Sequence, residues 1–208
     1  RVERFYDGQS QTDWRYVKIG LHRWRANGTR MGSTAFLSMG GAERKGKPRD
    51  KGITMLIDWG YGLEKQKDIL NTGGEYADTV KIVAEISGVL PDEVLSEKIA
   101  AYRRFSVEPF PGGGFFEYAF KEGRTEDYMK EVKRVGYRAM EISDNIIDLT
   151  LEQKMEFIRT ASQDYAFTVV AEVGRKDRST SAQELIADVE ACLKSGAWKV
   201  VVEAAEFF

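Results

Sequence analysis

Three glutamates recur at a fixed interval: Glu141, Glu172 and Glu203 stand 31 residues apart and 31 again, and each closes a short apolar run. A repeat of about thirty residues with one carboxylate at constant phase is what stacked βα units produce when the C-terminal ends of parallel strands face one mouth. The rest of the chain from Gly52 onward keeps the same rhythm. Apolar runs that read as strands lie at residues 53–58, 79–83, 105–108, 137–142, 168–173 and 199–203, separated by amphipathic stretches. Helix limits are marked between them. Thr150 with Gln153 and Ser181 with Glu184 have capping-box spacing, Pro91 suits a first helical turn, and Gly136 and Gly196 stand where a left-handed C-terminal cap is wanted. Strands that are nearly all apolar imply a parallel sheet covered on both faces.

Six such units fall short of the roughly 250 residues that a closed eight-stranded barrel takes. The fold class predicted is therefore α/β, a TIM-type (β/α) barrel with six βα units present, an incomplete barrel whose strands seven and eight would lie outside this sequence. Residues 1–46 read differently. Residues 1–47 carry ten Lys and Arg against four Asp and Glu, net +6, while the remainder is net −8. This basic N-terminal arm lacks sustained periodicity; residues 14–24 and 34–39 read equally as short strands or as a free arm. The domain division expected is 1–46 for the arm and 47–208 for the partial barrel.

Strand-end carboxylates supply candidate chemistry. Asp58 shares the phase of the three glutamates, and Glu108 is a further candidate. Like charges gathered at one low-dielectric mouth repel unless cations offset them, and Lys81, Arg175 and Lys176 lie near strand ends. A ring of purely structural ion pairs is the competing reading. The loop Pro109–Gly114 follows the third predicted strand, and its glycines Gly112, Gly113 and Gly114 let backbone amides approach an anion. One cysteine, Cys192, excludes an internal disulfide, and one histidine, His22, excludes a two-histidine metal site, so any metal would sit among oxygen ligands. No run approaches the roughly 20 apolar residues of a membrane span, and no secretory signal opens the chain. Cytoplasmic location is the expectation. The net charge of −2 argues against general nucleic-acid binding, although Trp14 and Trp24 interleave with basic residues in the arm. His22 reads as solvated, Cys192 as packed, and Trp198 as packed at the start of the sixth strand.

Taken in order, KPR leading into GITMLIDWG, YADTVKIV, PGGGFFEYAFKEG, EISD at Glu141–Asp144, EVGRK at Glu172–Lys176 and the terminal VVVEA resemble the phosphosulfolactate synthase family over residues 47–208. The resemblance implies a (β/α)8 barrel and magnesium-dependent addition of sulfite to phosphoenolpyruvate on the route to coenzyme M. It places a lysine acting as proton donor on Lys176. Mg²⁺ is then expected among Asp58, Glu141, Glu172 and Glu203, directly or through water, and anion binding by Arg49, Lys81, Arg175 and the Gly112–Gly114 amides. Nucleophilic addition to an enol phosphate develops negative charge on the carboxylate side, which a carboxylate-held Mg²⁺ stabilises, and a neighbouring ammonium can protonate the adjacent carbon. The expected partners are a small anionic substrate of the enol-phosphate type and further copies of the chain, with no membrane.

Departures from the family pattern point to an altered substrate. Trp59 stands in place of a lysine, residues 82–87 (IVAEIS) replace a glycine-rich run, Glu203-Ala204-Ala205 lacks an arginine, Arg175 replaces a lysine, and Asn145 replaces a glycine. Two lost cations that each held an oxyanion are worth about 2–5 kcal/mol apiece. The alternative function is a non-catalytic barrel relative acting as a binding or stress-associated protein, as the resemblance to plant members of the family implies. Because the chain opens on Arg1 and Met31 is an alternative start, residues 1–30 are expected to be dispensable. A chain beginning at Met31 should then show the circular dichroism and cooperative melting of the full chain; failure to fold would refute this.

Overall fold

The computed structural model describes residues 45–83, 85–176, 179–203 and 206. The segments 14–24 and 34–39, and His22, lie outside the described residues. The chain separates into a unit Arg1–Gly46 and a unit Lys47–Phe208, and all elements below belong to the second.

Strand and helix alternate through this unit. β1 (Met55–Asp58), α1 (Leu63–Gly73) and β2 (Thr79–Ile82) are followed by a short α2 (Ile86–Val89), α3 (Asp92–Arg104) and β3 (Glu108–Pro111). Next come α4 (Gly114–Lys121), α5 (Thr125–Arg134), β4 (Ala139–Ile142), α6 (Leu151–Arg159), β5 (Thr168–Val173), α7 (Ala182–Lys194) and β6 (Ala197–Val202). Among the described residues all pairings are parallel, in two three-stranded sheets ordered β1-β2-β3 and β4-β5-β6. The capping boxes form as expected at Thr150 and Ser181. Gly136 and Gly196 take φ of +102° and +110°, which costs little only at glycine. Among the described residues, no helix is long and apolar enough to cross a membrane.

The third strand departs from expectation: it begins at Glu108, where the sequence reading ended it. Residues 92–104 continue as helix, the turn closes with Ser106 at φ +54°, and β3 then runs through Pro109 and Pro111. The amides of Glu108 and Gly112 donate to the carbonyls of Asp78 and Ile82, so alternate residues 109 and 111 face β4. Both are prolines without an N–H, and that edge cannot donate to a ladder. This is the physical reason for the division between β3 and β4.

Each strand has two occupied faces. Val80, Ile82, Met140, Ile142, Val169, Ala171 and Val173 pack with Leu95, Ile99, Tyr102, Phe116 and Ile158 of the helices in the main core. The opposite face carries a second cluster, Phe110, Ala139 and Val170, with Met55 and Val201 against it. Cys192, on the inner face of α7, is fully buried, and burial pushes its thiol up to about 11. Trp198, expected to be packed, is 37% exposed, with the Lys199 ammonium over its ring.

Period-two alternation places Asp58 on the helix face, in phase with Leu56 and opposite to Met55. There its carboxylate accepts hydrogen bonds from the amides of Gly60 and Tyr61 and from the Tyr102 hydroxyl, and Lys98 Nζ lies 2.8 Å away. Lys98 is itself buried and donates to Tyr61 O and Gln66 Oε1. Burial would raise the Asp58 pKa, but the hydrogen bonds from Lys98, Tyr102 and Tyr61 and the charge of Lys98 outweigh it and hold the group below its usual 3.8. The stability this provides is present above the unfolded carboxylate value and is lost as pH falls through the lower folded value. Replacing Lys98 by Met leaves Asp58 buried without its counter-charge; urea denaturation at neutral pH should show a loss of about 3–5 kcal/mol, whereas an unchanged midpoint would contradict the pairing.

Candidate functional site

On the face opposite the helices, the C-terminal ends of the strands bring a set of charged side chains together. Lys81 in β2 and Glu141 in β4 share the inward phase, as register shows: Lys81 aligns with Phe110 and Glu141 with Val170, both members of the second cluster. The Lys81 ammonium lies 2.8 Å from Glu141 Oε2 and 3.3 Å from Glu172 Oε2. Glu172 is two residues beyond Val170 in β5 and therefore on the same face. Glu203 follows β6, and its amide continues the ladder by donating to Val173 O.

A residue absent from the sequence-derived site set joins these groups. Asn145, in the loop between β4 and α6, donates its side-chain amide to Glu172 Oε2 at 3.1 Å and to Glu203 Oε2 at 3.5 Å. Lys176 Nζ stands 3.6 Å from the same Glu203 oxygen, and the Lys176 amide donates to Asn145 O. Lys81, Glu141, Glu172, Asn145, Glu203 and Lys176 thus form one continuous polar chain. Its inner end is buried and its outer end is open, the Lys176 side chain being 54% exposed.

The glycine loop is arranged differently from a free anion cradle. The Gly112 amide bonds Ile82 O, and the Gly113 amide donates to Glu141 Oε2 at 2.6 Å. A Cβ on Gly113 would lie 2.2 Å from Ser143 Oγ, and one on Gly114 would lie 2.7 Å from Glu85 Oε1. Gly113 is required for close packing against Ser143 of the neighbouring loop.

Four other sequence candidates stand apart from this chain. Asp58 lies on the helix face with Lys98. Arg49 pairs with Asp78 Oδ1 at 2.7 Å and reaches Glu75 O, just before β2 begins, at the opposite end of the strand from the mouth. Arg175 is turned into the β4–α6 loop, where its guanidinium donates to the carbonyls of Asp144 and Ile147 and pairs with Asp148. Glu108, at the start of β3, pairs with Arg103 at 2.7 Å.

The electrostatics follow from burial. Burial, then the Glu172 charge, raises Glu141 to about 7, with Lys81 and the Gly113 amide opposing the rise. Burial alone would lower Lys81, but Glu141 and Glu172 reverse this and hold it above its ordinary value. Glu141 Oε1 and Asn145 Oδ1 are buried and find no hydrogen-bond partner among the described residues. Among the described residues, no three Asp, Glu, His or Cys side chains stand close enough to hold a metal by themselves. Mg²⁺ uses oxygen donors, commonly one or two carboxylates completed by water and ligand. Two uncommitted buried oxygens, one of them a carboxylate oxygen, fit that requirement.

Comparison with known proteins gives a consistent family. The profile described as (2R)-phospho-3-sulfolactate synthase (ComA) matches residues 42–207. The chain is 36% identical to the phosphosulfolactate synthase of Methanothermobacter thermautotrophicus, covering 78% of this chain and 64% of that protein. It is 31% identical to that of Bacillus subtilis, covering 78% and 65%. Protein HEAT-STRESS-ASSOCIATED 32 of Arabidopsis thaliana is 20% identical over 78% of this chain and 66% of that protein. The chain spans about 64% of the length of the Methanothermobacter relative it matches. In fold, it resembles oxaloacetate acetylhydrolase, with TM-score 0.51 and 13% identity over 76% of this chain and 60% of that one. It also resembles the carboxyl transferase domain of Rhizobium etli pyruvate carboxylase, with TM-score 0.52 and 11% identity over 74% and 28%.

The Glu141 shift gives a pH signature for the metal-free protein. Because the folded value of about 7 exceeds the ordinary 4.5, the folded state binds more protons between them. The associated stability is full below the lower value and is lost as pH rises through the upper one. Relative to Glu141→Gln, the unsubstituted protein should therefore lose stability between pH 4.5 and about 7. Parallel pH–stability curves for the two proteins would show that Glu141 does not titrate in this window.

Proposed function

The chain belongs to the (2R)-phospho-3-sulfolactate synthase family, and from that premise we propose that its six βα units are part of a TIM-type (β/α)8 barrel. Its mouth serves a magnesium-dependent lyase or synthase acting on an enol phosphate, with sulfite addition to phosphoenolpyruvate as the reaction to test first. The observation that carries this reading is the polar chain from half-buried Lys81 to open Lys176, which puts two ammoniums and three carboxylates at the C-terminal ends of successive strands. That is where parallel βα folds carry their chemistry.

Each residue has a role that its position can perform. Lys176, at the open end and paired with Glu203, is the proton donor to the carbon next to the new bond. Lys81 holds Glu141 and Glu172 side by side and offers its charge to the substrate's acid group. Mg²⁺ would be held by Glu141 and the Asn145 carboxamide oxygen, with Glu172 and Glu203 engaged through water, and would supply a Lewis acid for the charge developing on the substrate carboxylate. Arg175 is committed to loop carbonyls and Asp148, and Arg49 lies at the other end of β2. Fewer cations therefore face the mouth than the family pattern supplies, which supports a substrate preference different from that of the relatives.

Incubation with phosphoenolpyruvate, sulfite and Mg²⁺, with mass detection of the adduct, tests the reading. Lys176→Ala should lower the rate at least about 100-fold, the scale of a lost general acid. Absence of adduct with the unsubstituted protein, or equal rates from both proteins, would refute it.

A further inference from the structure

The polar chain depends on Asn145, and Asn145 sits on a loop between β4 and α6 with no regular ladder of its own. What fixes that loop is Glu117, in the middle of α4, a carboxylate only 2% exposed. Its Oε1 accepts from the Ser143 hydroxyl and, at 3.1 Å, from the Asn145 amide; its Oε2 accepts from the Ile146 amide at 3.0 Å. Both carboxylate oxygens are therefore spent on three donors from four consecutive residues, 143–146. Glu117 touches none of Lys81, Glu141, Glu172, Glu203 or Lys176 in these bonds. Arg175 supports the same loop from the other side through the carbonyls of Asp144 and Ile147. One buried anion takes the amides of the loop and one cation takes its carbonyls, so the backbone is held from both polarities.

We propose that Glu117 is a positioning residue of this site: by anchoring the β4–α6 loop it holds the Asn145 carboxamide as a bridge between Glu172 and Glu203. Helix α4 begins at Gly114, immediately after the Gly113 amide that bonds Glu141. A single rigid element therefore sets the Glu141 end of the polar chain through its first turn and the Asn145 end through Glu117. Neutralising Glu117 removes the charge from three hydrogen bonds and leaves an amide group facing backbone donors, one of which it must then meet with its own N–H.

The inference rests on the proposed reaction only where turnover is measured, and one readout is independent of it. In Glu117→Gln, solvent exchange of the Asn145 side-chain amide, assigned by its disappearance in Asn145→Ala, should quicken at least about tenfold, with β5 backbone amides unchanged. If adduct forms, kcat should fall roughly 10- to 100-fold with little change in KM. Asn145→Ala should do the same, and the double variant should be no worse than either single one, because both remove one bridge. Unchanged exchange at Asn145 would overturn the proposal, as would a double variant whose loss is the product of the two. If Glu117→Gln does not fold, Ser143→Ala, which removes one of the three donors, should still quicken Asn145 exchange, and no effect there would overturn it. Absence of adduct from the unsubstituted protein would count against the reaction alone, since the exchange measurement still decides the role of Glu117.

Discussion

The arrangement of this molecule turns on one half-buried ammonium. Lys81 belongs to the sheet β1-β2-β3, whereas Glu141 and Glu172 belong to β4-β5-β6. Between the two sheets the ladder is interrupted, because Pro109 and Pro111 present an edge with no N–H to β4. The Lys81 side chain crosses β3 on the inner face and ties the two sheets by charge. The Gly113 amide adds a second tie to Glu141. Beneath these polar links, Phe110 packs with Ala139 and Val170, so the junction is apolar inside and ionic at the mouth. Without the cation, two carboxylates would share a low-dielectric space, and one would be forced to stay protonated.

Much of this was legible in the sequence because it follows from local rules. The capping boxes at Thr150 and Ser181 and the left-handed glycines at 136 and 196 specify where helices start and stop. The 31-residue spacing of Glu141, Glu172 and Glu203 specifies which strand ends share a mouth. Spacing does not, however, fix which face a strand-end residue occupies when both faces are apolar. Met55-Leu56-Ile57-Asp58 has no alternation to read, and Asp58 falls on the helix side. The signal that locates it lies elsewhere: in α3, Lys98 sits among Leu95, Ile99 and Tyr102 on the buried stripe, and a lysine at that phase requires a buried anion. The same kind of signal marks Glu117, an acid between Phe116 and Ala119 on the buried face of α4.

Other features were hidden because they depend on contacts distant in sequence. Prolines read as the end of a strand, yet β3 accepts them because the neighbouring ladder uses residues 108 and 112. Arg175 stands beside Lys176 and reads as an anion-binding cation next to the proton donor, but the two side chains diverge. One serves the loop under the mouth and the other reaches Glu203. Asn145 differs from its surroundings only in being an amide among acids, and its role appears once Glu172 and Glu203 are seen on either side of it.

The charges in the polar chain explain why an amide occupies that place. Three carboxylates face two ammoniums, and Glu141, held near 7, carries only part of a charge around neutral pH. A third cation bridging Glu172 and Glu203 would overbalance the buried end, while an apolar residue would remove one donor from each of two carboxylate oxygens. A carboxamide supplies donors to both without adding charge. Among the described residues its remaining oxygen, like Glu141 Oε1, has no hydrogen-bond partner, so the polar chain leaves two acceptors unmatched, one of them a carboxylate oxygen. Buried acceptors of that kind are costly for folding alone, and their presence along one rim is the feature that distinguishes this charge cluster from the fully satisfied Asp58–Lys98 pair on the helix face.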